Sequence, residues 1–481
     1  MVKKANIKTP VKKPVTPQKN KKPVEYWVLK KTRIPFIVNF FLFLVILSLN
    51  LGLRSDPKYW DYCMDVKDYL FQSNQSVFSQ DFFFPKQINS RPFTVPLLYK
   101  IAGSQPDSIV RMQEIIHSLS VLFLVYALLL FVKKEAVKYL LIFFIYFLMS
   151  WWNILGWTLQ LLSESLIISL LFCWIASFLL FYKKRKTHWL ILHLIITILL
   201  SNTRDSWPYL LVAFYLMITV FSFIWDKFLF RRSLLFVVVS ASLLYYQQYA
   251  AGLGSRYRLP VANSIMIRVI PDEKYTEWFE KQGMPCTGYL KRTFPHIDAE
   301  TTEDVDKIYL SYIDTTLAPF FTWSANEGRS IYTKFLLTHP AYAFLLKETG
   351  PKLNRILSYT YELYHYYPVE PQGYSISATR LFPLFHVLWI PVLCILLIVI
   401  FRADRQLIYL IPVFISVMFL FNALLMYNAD ALEVERHMML NNIVVQFVCF
   451  WSLGLILDFV ICRYLVPKQN SVTVANKKRQ A

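Results

Sequence analysis

Glycine is scarce in this chain, 11 of 481 residues. Phosphate-cradling loops need several glycines close together, because backbone amides must approach the phosphate without a Cβ in the way. No Walker motif, no Gly-rich dinucleotide loop and no His-Glu-x-x-His segment occurs. The six cysteines, at 63, 173, 286, 394, 449 and 462, have no zinc-site spacing. No internal repeat is visible either, which weighs against a repeat-built transporter. Charge is thin as well: 17% of residues are charged, where soluble proteins average about 25%.

Acid is scarcer than base, 31 residues against 51, for a net charge of +20. Such a surplus raises nucleic-acid binding as a function, but its placement argues against it. Residues 1–33 hold eleven Lys/Arg and the single acid Glu25, and 463–481 hold Arg463, Lys468, Lys477, Lys478 and Arg479 with no acid. Both tails read as disordered basic segments suited to anionic lipid on a cytoplasmic face.

What the chain has in plenty is apolar sequence. It is 56% hydrophobic and 17% aromatic, with a mean hydropathy of +0.40. Continuous apolar runs near the ~18 residues needed to cross a ~30 Å hydrocarbon core recur along it. Only helices and closed barrels satisfy their backbone groups in such a core, and continuous rather than alternating runs indicate helices. The reading is an all-α membrane protein of about ten spans, at 34–53, 113–132, 139–156, 160–182, 188–203, 207–225, 234–250, 381–401, 407–426 and 438–461. The first reads as a signal anchor, since no small-residue cleavage site follows it.

The loops orient the bundle. With the first tail inside, the inside turns are Lys133-Lys134 to Lys138, Lys183 to Lys186, Lys227 to Arg232, and Arg402 to Arg405, and all are basic, as the positive-inside bias requires. Both termini are then cytoplasmic, in a plasma or inner membrane. The predicted organisation is a basic tail (1–33), an N-terminal membrane module (34–250) with a first outside loop (54–112), an extracytoplasmic loop domain (251–380), C-terminal membrane helices (381–461) and a second tail (462–481). Only Cys63 and Cys286 fall outside, and nothing else in the sequence supports a bridge between them.

Two long outside loops exceed what a simple channel needs, so the chemistry is sought there. Asp56 stands nearest the first span; Asp61, Asp65 and Asp68 follow at helical spacing and line one face of a helix. That face is either a solvated acidic surface or a source of a general base, or of ligands for a divalent cation. Arg91, in Arg91-Pro92-Phe93-Thr94-Val95-Pro96, marks a helix start or a phosphate contact. Glu164, at the edge of the fourth span, is costly in hydrocarbon: it is functional or hydrogen-bonded to a neighbouring helix. Arg204 and Asp205 either pair with each other or present a guanidinium fork to a phosphate. Before the last span, Glu433-Val434-Glu435-Arg436-His437 is a solvated cluster or an anion site at a helix start. In the long loop, mostly helix is expected over 272–366, amphipathic near 327–347, with breaks at Pro319, Pro340 and Pro351. Its aromatics suit a sugar platform and a small-domain core equally.

Taken together, these segments resemble the GT-C superfamily of membrane glycosyltransferases. The shared features are Asp-x-x-Tyr at Asp56 to Tyr59, Arg-Pro-x-x-x-Pro-Leu-Leu at Arg91 to Leu98, the polar Arg204 ending a middle helix, and Glu-x-Arg-His at Glu433 or Glu435 with Arg436-His437. The resemblance covers roughly 34–461 by topology, and its motifs are short and degenerate. It implies a polyprenyl-phosphate-linked sugar donor, a lipid or glycan acceptor, and transfer on the extracytoplasmic face. It further implies Asp56 as the base with Asp61 as its rival, and Arg204, Arg436 and Arg91 as holders of the donor phosphate, beside His437. The chain departs from the family in one place: Asp56 is followed by Pro57 where a second acid is common. The alternative class is a non-catalytic flippase, polymerase or transporter of lipid-linked saccharides.

Overall fold

The computed structural model describes residues 33–52, 64–84, 91–150, 152–295, 302–345, 389–429 and 434–465. Among them every regular element is helical. Seven helical stretches are long and apolar enough to cross a membrane: Ile34–Gly52, Pro106–Leu129, Ser163–Lys184, Trp207–Trp225, Lys227–Leu253, Leu407–Ala429 and Leu440–Leu465. This is the composition of a multi-pass integral membrane protein. The other three expected spans, 139–156, 188–203 and 381–401, coincide with helices of 15, 15 and 16 residues: Glu135–Met149, Thr187–Ser201 and Trp389–Asp404. Thr187–Ser201, at 1.5 Å per residue, is about 22 Å long, short of a ~30 Å core, and Trp389–Asp404 begins where that stretch of described residues begins.

The main helices are numbered α1 (Ile34–Gly52), α2 (Met64–Asn74), α3 (Thr94–Ile101), α4 (Pro106–Leu129), α5 (Glu135–Met149), α6 (Ser163–Lys184), α7 (Thr187–Ser201), α8 (Trp207–Trp225), α9 (Lys227–Leu253), α10 (Trp389–Asp404), α11 (Ile411–Ala429) and α12 (Val434–Val460). Their ends follow local chemistry. Pro106 starts α4 and Pro208 lies in the first turn of α8, where a missing N–H costs nothing. Asp226 caps α9, accepting from the N–H groups of Phe228 and Leu229 at 3.1 Å each.

Burial sorts the helices. The apolar window of α6 is 89% buried, whereas those of α1 and α9 are only 28% and 22% buried. Helix α6 is therefore the central post, with α4 and α7 against it, while α1 and α9 face outward. Polar groups inside the bundle find each other. The Trp174 indole donates to the Tyr215 hydroxyl at 2.7 Å. His193 joins Tyr215 at 2.7 Å and Ser177 at 2.9 Å. One network thus ties α6, α7 and α8, which satisfies groups that hydrocarbon cannot. At the basic end, Asp458 of α12 accepts from the backbone N–H groups of Lys133 (3.0 Å) and Lys134 (2.7 Å), clasping the α4–α5 turn.

A second hydrophobic cluster forms between α9 and α10 in sequence, from residues such as Ile265, Phe279, Phe320, Phe321 and Phe335. It is built by short helices including Arg258–Ser264, Glu273–Glu280, Ala318–Trp323 and Arg329–Thr338. The aromatics of the long loop thus build a core there. Pro340 does follow a helix end, at Thr338; Pro319 instead sits in the first turn of Ala318–Trp323, a position where proline is tolerated. Pro351 lies outside the described residues. Cys286 carries no disulfide among the described residues, and Cys63 lies outside them.

Candidate functional site

Helix α2 brings Asp65 and Asp68 to one side, one turn apart. Both meet Arg91: Asp68 at 3.0 Å, and Asp65 in direct contact. Arg91 also lies 5.6 Å over the Tyr69 ring. Gln72 holds the Arg91 backbone twice, accepting from its N–H at 3.1 Å and donating to its carbonyl at 3.0 Å. Helix α3 then docks on the end of α7. The Thr94 N–H donates to the Asn202 carbonyl at 3.1 Å, and its hydroxyl donates to the Leu199 carbonyl at 2.8 Å. The first loop is thereby fastened to the membrane bundle.

The α7–α8 turn carries the next two charges, and they do not pair with each other. Arg204 turns to α6, where it pairs with Glu164 and donates to the Ser163 hydroxyl at 3.1 Å. Asp205 turns to Arg256, just past α9, at 3.2 Å. Gln247 bridges the two sides: it donates to Asn202, and Arg256 reaches its carbonyl and side-chain oxygens at 3.4 Å. Tyr69 feels Arg91, Asp65, Glu164 and Arg204, and Asp205 feels Arg256, Arg91 and Arg329. Four arginines and four carboxylates therefore share one neighbourhood at the end of the bundle.

Burial dominates its electrostatics. It pushes the Tyr69 phenol up. It raises Asp205, with Arg256 opposing. The Asp205 side chain is 38% exposed as a whole, but its Oδ1 oxygen is closed off, so that oxygen feels a low dielectric. Burial lowers Arg256, with Asp205 opposing. Burial also works against the Arg91 charge, yet Asp65, Tyr69 and Asp68 hold its pKa above the usual guanidinium value.

Asp68 gives a testable consequence. Burial raises its pKa above the ordinary 3.8, Arg91 pulls it down, and the charge of Asp65 adds to the rise. The folded chain thus holds this proton more tightly than the unfolded chain. Its contribution to stability is complete below pH 3.8 and is lost as pH rises through the raised folded value. Asp68→Asn should flatten the stability–pH curve in that acid window, read by thermal unfolding. An unchanged curve would mean that Asp68 titrates like an exposed carboxylate.

Of the residues expected to act, Arg91, Glu164, Arg204 and Asp205 come together here. Asp56 and Asp61 lie outside the described residues. Glu435, Arg436 and His437 fall in the first turn of α12, and their side chains are not among those described. Among the described residues no group of three His, Cys, Asp or Glu side chains converges to hold a metal ion.

Two groups of residues escaped the sequence reading. Arg256 and Arg329 fall in the expected loop domain 251–380, where no motif marks them. Glu114 and His117 fall at the start of the expected span 113–132, where no motif marks them. The helix starts at Pro106, so these residues lie about two and about three turns in, 2% and 1% exposed. Beside them Asn50 of α1 donates to Ser118 at 2.8 Å. The available signal was the Glu114-x-x-His117 spacing inside an apolar run. No known family, curated protein or solved structure matches the chain.

Proposed function

We propose that this chain is a membrane glycosyltransferase of the GT-C type, with ten membrane helices and both termini cytoplasmic. It moves a sugar from a polyprenyl-phosphate donor to a lipid or glycan acceptor at the extracytoplasmic face. The observation that carries the reading is the arginine–carboxylate neighbourhood of Arg91, Arg204 and Arg256, with the first loop fastened beside it. Guanidinium groups match phosphate oxygens in geometry and keep their charge when buried. A donor phosphate entering there exchanges carboxylate partners for its own oxygens. Asp61 precedes Asp65 by four residues, a covalent reach of at most about 14 Å. A base drawn from that segment is therefore within reach of the same neighbourhood.

A second reading, a flippase or transporter of lipid-linked saccharides, is favoured by one observation. Gln113, Glu114, His117 and Asn50 place polar groups within the depth of the bundle, where transport needs them. One experiment separates the two. Purified protein in vesicles, given radiolabelled polyprenyl-phosphate hexoses and pentoses with lipid acceptors, should yield labelled glycolipid. Movement of labelled donor across the vesicle without product would favour the flippase reading and overturn the enzyme.

A further inference from the structure

The opposite end of the bundle holds a pocket of about 210 Å³ that the proposed chemistry does not use. It lies where the C-terminal ends of α6 and α8 meet the α10–α11 junction. Its lining includes Arg185, Arg405, Tyr182, Ser222, Phe221 and Trp225. The two arginines are set by the same device. Each follows the last residue of a helix in left-handed conformation, Arg185 at φ 54° and Arg405 at φ 53°. Each also donates its N–H back to the helix, to Phe181 at 2.8 Å and Phe401 at 2.6 Å. Glycine would take this conformation more cheaply, so an arginine there twice, in one pocket, marks a wanted side chain.

The charge in this pocket is unbalanced. The one acid in its lining, Asp226, is already engaged: it caps α9 and pairs with Arg185 at 2.6 Å. Asp404, next to Arg405, accepts from Gln406 at 2.8 Å and Tyr409 at 3.1 Å. Arg405 itself is exposed and makes no ion pair among the described residues. Lys183, Lys184, Lys186, Lys227, Arg231 and Arg232 add positive charge around the same end.

The side chains beside the pocket have the character of the boundary between headgroups and acyl chains. Trp225 ends an apolar helix, is 48% exposed and stacks on Phe221 at 4.4 Å. Tryptophan favours this level of a bilayer. The preceding Phe223 and Ile224 are 66% and 65% exposed, as acyl-facing side chains are. We propose that the pocket binds the phosphate headgroup of an anionic membrane phospholipid, with Arg405 as the principal contact and Trp225 at the glycerol level. Its position among lipid-facing residues favours a lipid over a free phosphate ion.

The test uses the delipidated full-length protein in neutral detergent. Its melting temperature is titrated separately with phosphatidylglycerol, phosphatidylcholine and inorganic phosphate. Phosphatidylglycerol should raise the melting temperature saturably, and the other two should not. Arg405→Gln should weaken the half-saturating concentration by about tenfold or more, the scale of losing one charged hydrogen bond. Arg405→Gly should do the same while keeping the left-handed backbone, which guards against a folding artefact. Arg402→Gln removes an exposed charge from the same helix outside the pocket and should bind like wild type. The proposal is overturned if the Arg405 variants bind phosphatidylglycerol like wild type. It is equally overturned if Arg402→Gln weakens binding as much, since the effect is then diffuse surface charge. An equal shift with inorganic phosphate would overturn the lipid as occupant.

Discussion

Glu164→Gln should destabilise the purified protein by about 3–5 kcal/mol, the scale of removing one partner of a buried ion pair. Glu164 is 4% exposed and Arg204 20% exposed. Ser163 donates to Glu164 at 3.1 Å and accepts from Arg204 at 3.1 Å, so the three side chains are joined to one another. Glutamine keeps the shape and one acceptor but not the charge. In membrane proteins single interhelical hydrogen bonds average only about 0.6 kcal/mol, so a loss of several kcal/mol distinguishes the ion pair from an ordinary polar contact. The double variant Glu164→Gln with Arg204→Gln should recover much of the loss, because both charges of this pair are then removed together. Denaturant unfolding of the four proteins in detergent measures this cycle. A single variant as stable as wild type would show that water reaches Arg204 and replaces its partner.

Asp56→Asn and Asp61→Asn should separate in the transfer assay. One should lower turnover by about 10²- to 10⁴-fold, the usual contribution of a positioned general base. The other should transfer sugar near the wild-type rate. The variant that loses turnover should melt like wild type, since a base that acts on the acceptor is spent on chemistry and not on holding the fold. That split between rate and stability distinguishes the base from the residues that shape the site. Should both variants transfer at the wild-type rate, the first-loop base is wrong, and Asp65 and Asp68 are not substitutes, because Arg91 occupies both.

The two predictions divide along what was legible. Arg204 and Asp205 are adjacent, and pairing between them was one reading. Neighbours in sequence do not face one another on a turn or helix, and the structure sends them to Glu164 and Arg256 instead. The three-residue spacing of Asp65 and Asp68 did foretell a shared face, and that face closes on Arg91 rather than standing open to solvent. Glu114 and His117 were missed because hydropathy locates the middle of a span well and its ends poorly. The expected start at 113 put both residues at the beginning of the span, whereas the helix begins at Pro106.

By itself, the sequence determined the helical bundle, because apolar length is a local property and the backbone has no other partner in hydrocarbon. It likewise determined which turns are basic. Only the tertiary structure decided which helix is central, which polar groups lie within the bundle, and which charge answers which. Arg204 meets Glu164 across 40 residues and Arg91 meets Asp68 across 23. Neither distance leaves a periodic trace along the chain, since such pairs are chosen by how whole helices pack and not by spacing within one.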